Sequence, residues 1–187
     1  MSQKPAHVRM MTKAIDYLGK YASSRHKLTQ ILQRFASRKL ADYKEEDIAA
    51  AIKQTIDQCN QLGYLDDQQF AISLARSQRR LGRSQAMIRK RLRQHDLDSG
   101  LIAKALAEAD DNSANGDMQA AIRYAQRRRL GPFAKRQRSH HHLRNAYQSK
   151  KRDLGAMGRA GFSLAISQQV LDHDNPDTID DLLRQAD

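Results

Sequence analysis

Two long stretches of the chain carry many basic residues and no acidic residue. The first lies between Asp67 and Asp96, and the second lies between Asp117 and Asp153. Like charges four residues apart on a helix repel each other, so stability alone does not favour such stretches. Because arginine and lysine bind phosphates and carboxylates, the two stretches predict a basic surface that docks on a polyanion or on an acidic protein.

The predicted basic surface draws on both stretches and on one arginine beyond them. Its residues are Arg76, Arg79, Arg80, Arg83, Arg89, Lys90, Arg93, Arg127, Arg128, Arg129, Lys150, Lys151, Arg152 and Arg159. Proteins that bind single strands add aromatic rings on which bases stack. The nearest candidates for such rings are Tyr124 and Tyr147, and both fit helical core positions at least as well. Sequence-specific readout is therefore not expected.

Other residues that could do chemistry have simpler structural roles. Asp66 and Asp67 resemble a carboxylate pair, but their place before an apolar helical pattern favours capping over acid–base catalysis. His140, His141 and His142 are adjacent, and adjacent helical side chains point in different directions, so a metal site is not expected. The sequence has no nucleophile beside a base and no glycine-rich phosphate loop. It predicts neither an enzyme nor a cofactor.

The composition is that of a basic protein with a modest core. The 187 residues include 33 Lys and Arg against 21 Asp and Glu, a formal net charge of +12, and this charge attracts polyanions. The one cysteine, Cys59, cannot form an internal disulfide, which fits a reducing compartment. No apolar run reaches the roughly 18 residues of a membrane-spanning helix. The sequence thus predicts a cytoplasmic protein that does not bind membranes.

Helical periodicity covers almost the whole chain, and a unit of it repeats. A first helix is predicted over about 11–22, and N-cap residues mark the later helix starts at Ser24, Asp66, Ser84 and Asp98. Alignment at constant offsets pairs Leu92 with Met157, Leu97 with Phe162, Asp98 with Ser163, and Ser24 with Ser84. The tetrapeptide RRLG also occurs twice, at 79–82 and at 128–131. The repetition predicts an all-α protein of three tandem three-helix repeats that form an elongated, curved array.

The predicted organisation has five parts. A basic leader covers 1–10, and the first three-helix repeat covers 11–63. The second repeat covers 64–111, and the third covers 112–172 with a basic insert near 132–150. An acidic C-terminal tail covers 173–187 and is expected to be solvated. Two alternatives are a final short helix with Ile179, Leu182 and Leu183 on an apolar edge, and a segment that folds back on the basic surface as a weak autoinhibitory cover.

Several of these residues resemble a known family in their order and spacing. GYLDDQQFA at 63–71, the LGRS turn with the I-x-x-x-L helix after it, and RAGFS at 159–163 are similar to motifs of the RecX family. The resemblance extends from about Ala14 to Leu171. It implies structural roles for the motif residues Gly63, Tyr64, Leu65, Asp66, Asp67, Phe70, Gly82, Leu92, Gly161 and Phe162.

The third repeat departs from the family pattern. Gly155 and Gly158 stand where the family usually has bulkier residues, and each costs about 1 kcal/mol in a helix interior relative to alanine. The insert that contains His140–His142 is also longer than in the family. The third repeat is therefore expected to be the least stable.

The resemblance also implies a function. RecX-like proteins regulate the RecA recombinase: they bind the RecA filament on single-stranded DNA and inhibit its ATPase, strand exchange and co-protease activities. They thereby modulate recombinational DNA repair and the SOS response. The expected partners are the RecA filament and, through it or directly, DNA without sequence preference, and the protein is expected to be a monomer. The charge alone equally fits a stand-alone DNA- or RNA-binding protein, and a basic helical adaptor for another acidic protein is a third alternative.

Overall fold

The computed structural model describes residues 5–111, 113, 115–134, 142–173 and 179, without the side chains of 142–146. These residues form α-helices, one short 3-10 helix at Gly131–Phe133 and, within the part described, no strand. The prediction of an all-α fold is confirmed. The helices are α1 Ala6–Leu18, α2 Arg25–Lys39, α3 Glu45–Gln61, α4 Asp67–Arg80, α5 Gln85–Arg93, α6 Ser99–Ala109, α7 Gly116–Arg128, α8 His142–Arg159 and α9 Leu164–Leu171.

The chain divides into two compact units. Unit 1 comprises residues 1–71 and 95–97, and unit 2 comprises residues 72–94 and 98–187. In unit 1, α1 packs against α2 and α3 around a core that includes Met10, Leu28 and Leu32. In unit 2, α9 packs against α7 and α8 around a second core. Every residue of the predicted basic surface belongs to unit 2.

The prediction for the N-terminus was wrong in two respects. Helix α1 starts at Ala6 rather than near residue 11, and it ends at Leu18 rather than near 22. Residues 6–10 are thus no loose leader, since Ala6 and Met10 are buried in the core of unit 1. Pro5 occupies the N-cap, and proline is tolerated at a helix start because its missing N–H has no intrahelical partner there.

The predicted caps are confirmed. The hydroxyl of Ser24 accepts a hydrogen bond from the Lys27 N–H, and the hydroxyl of Ser84 accepts one from Met87. Asp98 caps α6 in the same way, and its aligned partner Ser163 caps α9. Each cap satisfies an N–H that the first turn of a helix leaves unpaired.

The internal repeat is also visible as a repeated set of contacts. In unit 1, Ser24 Oγ lies 3.1 Å from His95 Nδ1, and Asp67 accepts the backbone N–H of the residue after Ser24. In unit 2, Ser84 Oγ donates to the carbonyl of Ala160 at 2.7 Å, and Asp117 accepts the N–H of the residue after Ser84. His95 and Ala160 are related by the same offset that aligns Leu92 with Met157. A capping serine therefore also ties its helix to the next repeat.

Four helices end in the same hydrogen-bonding pattern, in which a left-handed residue follows the last turn. Glycine provides this residue after α3, α4 and α8, at Gly63, Gly82 and Gly161. After α7 the left-handed residue is Arg129, with φ 55°. The two RRLG segments are therefore not equivalent, because Gly82 ends a helix whereas the glycine of the second segment begins the 3-10 helix.

Candidate basic docking surface

Most of the predicted basic side chains are exposed. On α5, Ile88 and Leu92 are buried, Lys90 and Arg93 on the other side are exposed, and Arg89 is half-buried. The remaining predicted residues that are exposed are Arg76, Arg80, Arg83, Arg127, Arg128, Arg129, Lys150, Lys151, Arg152 and Arg159.

Arg79 is the exception, and its prediction as a surface residue was wrong. Only 7% of its side chain is exposed, and its guanidinium is held by Asp110 at 2.6 and 2.7 Å and by Asp117 at 2.5 Å. It also donates to the carbonyl of Arg83. A Cβ atom at Gly116 would overlap the Asp110 carboxylate, so the ion pair depends on a glycine there. Arg79 thus joins the end of α4 to the end of α6 and the start of α7.

The carboxylates keep this buried arginine charged. Burial by itself lowers the pKa of the Arg79 guanidinium, because it disfavours the charged form. The hydrogen bonds and negative charges of Asp110 and Asp117 outweigh burial, and the pKa is raised above its ordinary value. The stability that follows from a raised pKa is lost only when the pH rises through that pKa. For an arginine this lies above the pH range in which proteins are studied, so Arg79 stays charged.

The turn after α4 lies against α7 and brings arginines of both elements together. A Cβ atom at Gly82 would lie 3.3 Å from the carbonyl oxygen of Ala120 and 3.3 Å from the nitrogen of Tyr124. Arg127 donates to the carbonyl of Leu81 at 2.5 Å. The exposed arginines that flank this contact form what we call the turn cluster, which consists of Arg80, Arg83, Arg123 and Arg127.

The end of α8 meets the start of α5. The hydrogen bond between Ser84 and Ala160 joins them, and a Cβ atom at Gly161 would come within 2.5 Å of the Ser84 hydroxyl. Arg83 and Arg159 directly precede the two bonded residues in sequence. The contact brings the backbone of Arg159 near that of Arg83, while the Arg159 guanidinium extends back along α8 towards Gly155. Lys150–Arg152 lie roughly two to three helical turns further along α8.

The residues of the family motifs have structural roles in the turns and cores. Leu65, Leu92 and Phe162 are buried. Phe70 packs against His95 with ring centroids 4.7 Å apart. Tyr64 is the exposed aromatic residue of the set, at 54%, and Gly63 and Asp66 are exposed as well.

The carboxylates and the cysteine considered for chemistry also have structural roles. Asp66 accepts the N–H of Gln69 at 2.9 Å and so caps α4 as predicted, while Asp67 accepts the N–H of Arg25. Cys59 is buried, and burial raises the pKa of its thiol, which disfavours the reactive thiolate. No group of His, Cys, Asp or Glu among the described residues could hold a metal ion. The side chains of His140–His142 lie outside the described residues.

The structure adds two exposed basic residues to the predicted surface and shows the environments of the two candidate rings. Arg91 and Arg123 belong with the basic residues but were left out of the predicted set. Tyr147 fits a helical core position by spacing, yet 72% of it is exposed on α8. Tyr124, the other candidate ring, does pack in the core, where it contacts Phe162 and donates to the carbonyl of Ala156.

The acidic C-terminal tail and the residue before it contact other parts of unit 2. Asp172 pairs with Lys150 at 2.7 Å, with about half of each side chain exposed. Ile179 is fully buried in the core of unit 2, so at this residue the segment is not the solvated tail that its charge predicts. Apart from His173 and Ile179, the residues of this tail lie outside the part of the chain that the structure describes.

Comparisons with known proteins identify a matching family model, a relative in sequence and a solved structure with a similar fold. Residues 66–106 match the family model described as the second three-helix domain of RecX. The chain is 32% identical over 161 residues to a regulatory protein RecX from Myxococcus xanthus (strain DK1622), and the match covers 85% of this chain and 82% of the relative. A crystal structure of a regulatory protein RecX aligns with a TM-score of 0.60 at 18% identity, over 90% of this chain and 72% of the other. Within the described residues, no helix is long and apolar enough to cross a membrane.

Proposed function

The chain belongs to the RecX family of regulatory proteins, and from this we propose that it binds the RecA filament on single-stranded DNA and inhibits it. The inhibited activities are the filament's ATPase, strand exchange and co-protease activities. By this route the protein modulates recombinational repair and the SOS response. The observation that carries the proposal is the set of exposed basic side chains on α4, α5, α7 and α8, all in one compact unit.

Two kinds of acceptor on the filament suit this surface. Arginine forks match DNA phosphates, and they equally match carboxylates on the surface of RecA.

The mechanism follows from docking across more than one RecA protomer. Contacts to neighbouring protomers would hold their relative geometry and so slow the turnover of ATP bound between them. In this proposal the chain acts as a monomer and as a regulator rather than an enzyme. The regulatory role is supported by the relative from Myxococcus xanthus, which is named a regulatory protein.

Charge reversal on α5 tests the proposal. We expect the triple variant Arg89→Glu, Lys90→Glu and Arg93→Glu to lose inhibition of the DNA-dependent ATPase of RecA, because it replaces attraction by repulsion. Circular dichroism should show unchanged helicity, since Lys90 and Arg93 are exposed and Arg89 is half-buried. A matched control reverses the same charge at the exposed residues Lys20, Arg38 and Lys53 of unit 1. Full inhibition by the triple variant would exclude α5 from the docking surface.

Salt dependence separates this proposal from the alternative of a stand-alone nucleic-acid-binding protein. Binding through phosphates alone weakens by orders of magnitude between about 50 and about 200 mM salt, because counterions are no longer released as favourably. Filament docking also uses protein contacts and should persist in part. Complete loss of filament binding in step with loss of binding to bare DNA would favour the alternative.

A further inference from the structure

Tyr147 stands out as an aromatic ring that a basic helix face exposes to solvent. The other described aromatic residues of unit 2 are Tyr124, Phe133 and Phe162, and all three pack on its core. Tyr147 instead lies in the second acid-free stretch of the chain with 72% of its surface exposed. An isolated exposed tyrosine needs no explanation, so its neighbours decide what it can bind.

Those neighbours are two lysines on the same face of α8. Lys150 and Lys151 follow Tyr147 by three and four residues, the spacing at which helical side chains are adjacent. Side chains on a helix lean towards its N-terminus, so both lysines are long enough to reach over the turn that carries the tyrosine. The inner face of the helix is defined by Asp153 and Met157, which are buried. One outward face thus combines a flat ring with two cations.

We propose that Tyr147 stacks on an unpaired base of single-stranded DNA while Lys150 and Lys151 contact the flanking phosphates. This inference rests on the proposed function, since it assigns to one face of α8 a direct contact with the single strand. A base within a duplex is already stacked on both sides and offers its face to no ring. The lysines can bind the phosphates of either form, but the tyrosine distinguishes a single strand from a duplex.

The ion pair between Lys150 and Asp172 does not prevent this binding. Both side chains are about half exposed, and surface pairs of this kind contribute little to stability. A DNA phosphate can replace the Asp172 carboxylate at the lysine. Asp172→Asn should therefore tighten binding to single-stranded DNA slightly, and it should not weaken it.

A tryptophan reporter tests the stacking directly. The chain has no tryptophan, so Tyr147→Trp introduces a single emitter at the proposed site. Addition of an oligo-dT strand, without RecA, should quench its emission, because an indole stacked on a base loses fluorescence. An oligo-dA·oligo-dT duplex of equal length should bind without this quenching. Tyr64→Trp, at an exposed tyrosine of unit 1, is the matched control and should stay unquenched by either ligand.

Affinity gives a second readout. A stacked base contributes about 1 kcal/mol or more, so Tyr147→Ala should weaken oligo-dT binding by about fivefold or more, while Tyr147→Phe should bind like the natural protein. An unquenched reporter, equal quenching by the duplex, or full affinity of Tyr147→Ala would each overturn the proposal. None of these outcomes depends on RecA, so inhibition of the RecA ATPase by Tyr147→Ala tests the proposed function separately.

Discussion

Arg79 shows at the scale of one residue that a basic side chain in an acid-free stretch can be structural. Its guanidinium neutralises two carboxylates in a site where all three side chains are mostly buried. Arg79→Met removes the cation and leaves Asp110 and Asp117 without compensation. We expect a loss of about 3–5 kcal/mol in the free energy of unfolding, measured by chemical denaturation.

The adjacent Arg80 provides the control. It is exposed on the same helix, so Arg80→Met should change the free energy of unfolding by less than about 0.5 kcal/mol. Equal stability of the Arg79 and Arg80 variants would refute the structural role of the ion pair. The sequence could not have revealed this difference, because the acidic partners of Arg79 lie 31 and 38 residues further along the chain.

At the scale of an element, α8 carries two glycines that weaken it. Gly158 is exposed in the last turns of the helix, and a Cβ atom there would meet nothing within 4 Å. Because alanine restricts the unfolded chain and favours helix, Gly158→Ala should raise the free energy of unfolding by up to about 1 kcal/mol. The measurement is the midpoint of thermal or urea unfolding.

Gly161, at the end of the same helix, should respond in the opposite direction. It has φ 85°, and a Cβ atom would lie 2.5 Å from the Ser84 hydroxyl. Gly161→Ala should therefore destabilise the protein. If Gly158→Ala also destabilised the protein, the claim that Gly158 weakens α8 would be wrong.

The same scale shows what local sequence signals can predict. The caps at Ser24, Ser84 and Asp98 were predictable because an N-cap bonds to an N–H only three residues away. The start of α1 was misplaced because the basic residues of the N-terminus obscured the apolar spacing of Ala6 and Met10. Periodicity also left the burial of Tyr147 undecided, since it fixes the spacing of a stripe but not which stripe a neighbouring element covers.

At the scale of the whole molecule, the all-α class and the internal repetition could be predicted from sequence patterns within each repeat. The contacts between elements that are distant in sequence could not be predicted from these patterns. The turn cluster depends on a glycine that lets one turn approach α7, and the burial of Ile179 depends on the core of unit 2. The predicted basic residues proved to belong to one compact unit, and this distribution could be read only from the fold.

One titration tests most directly whether this basic unit docks on a RecA filament. The rate of single-stranded-DNA-dependent ATP hydrolysis by RecA is measured at about physiological salt with increasing amounts of this protein. We expect inhibition well below one molecule per RecA monomer, because each bound chain affects several protomers. No inhibition, together with tight and salt-sensitive binding to bare DNA, would contradict it and leave a nucleic-acid-binding protein that shares only the fold of its family.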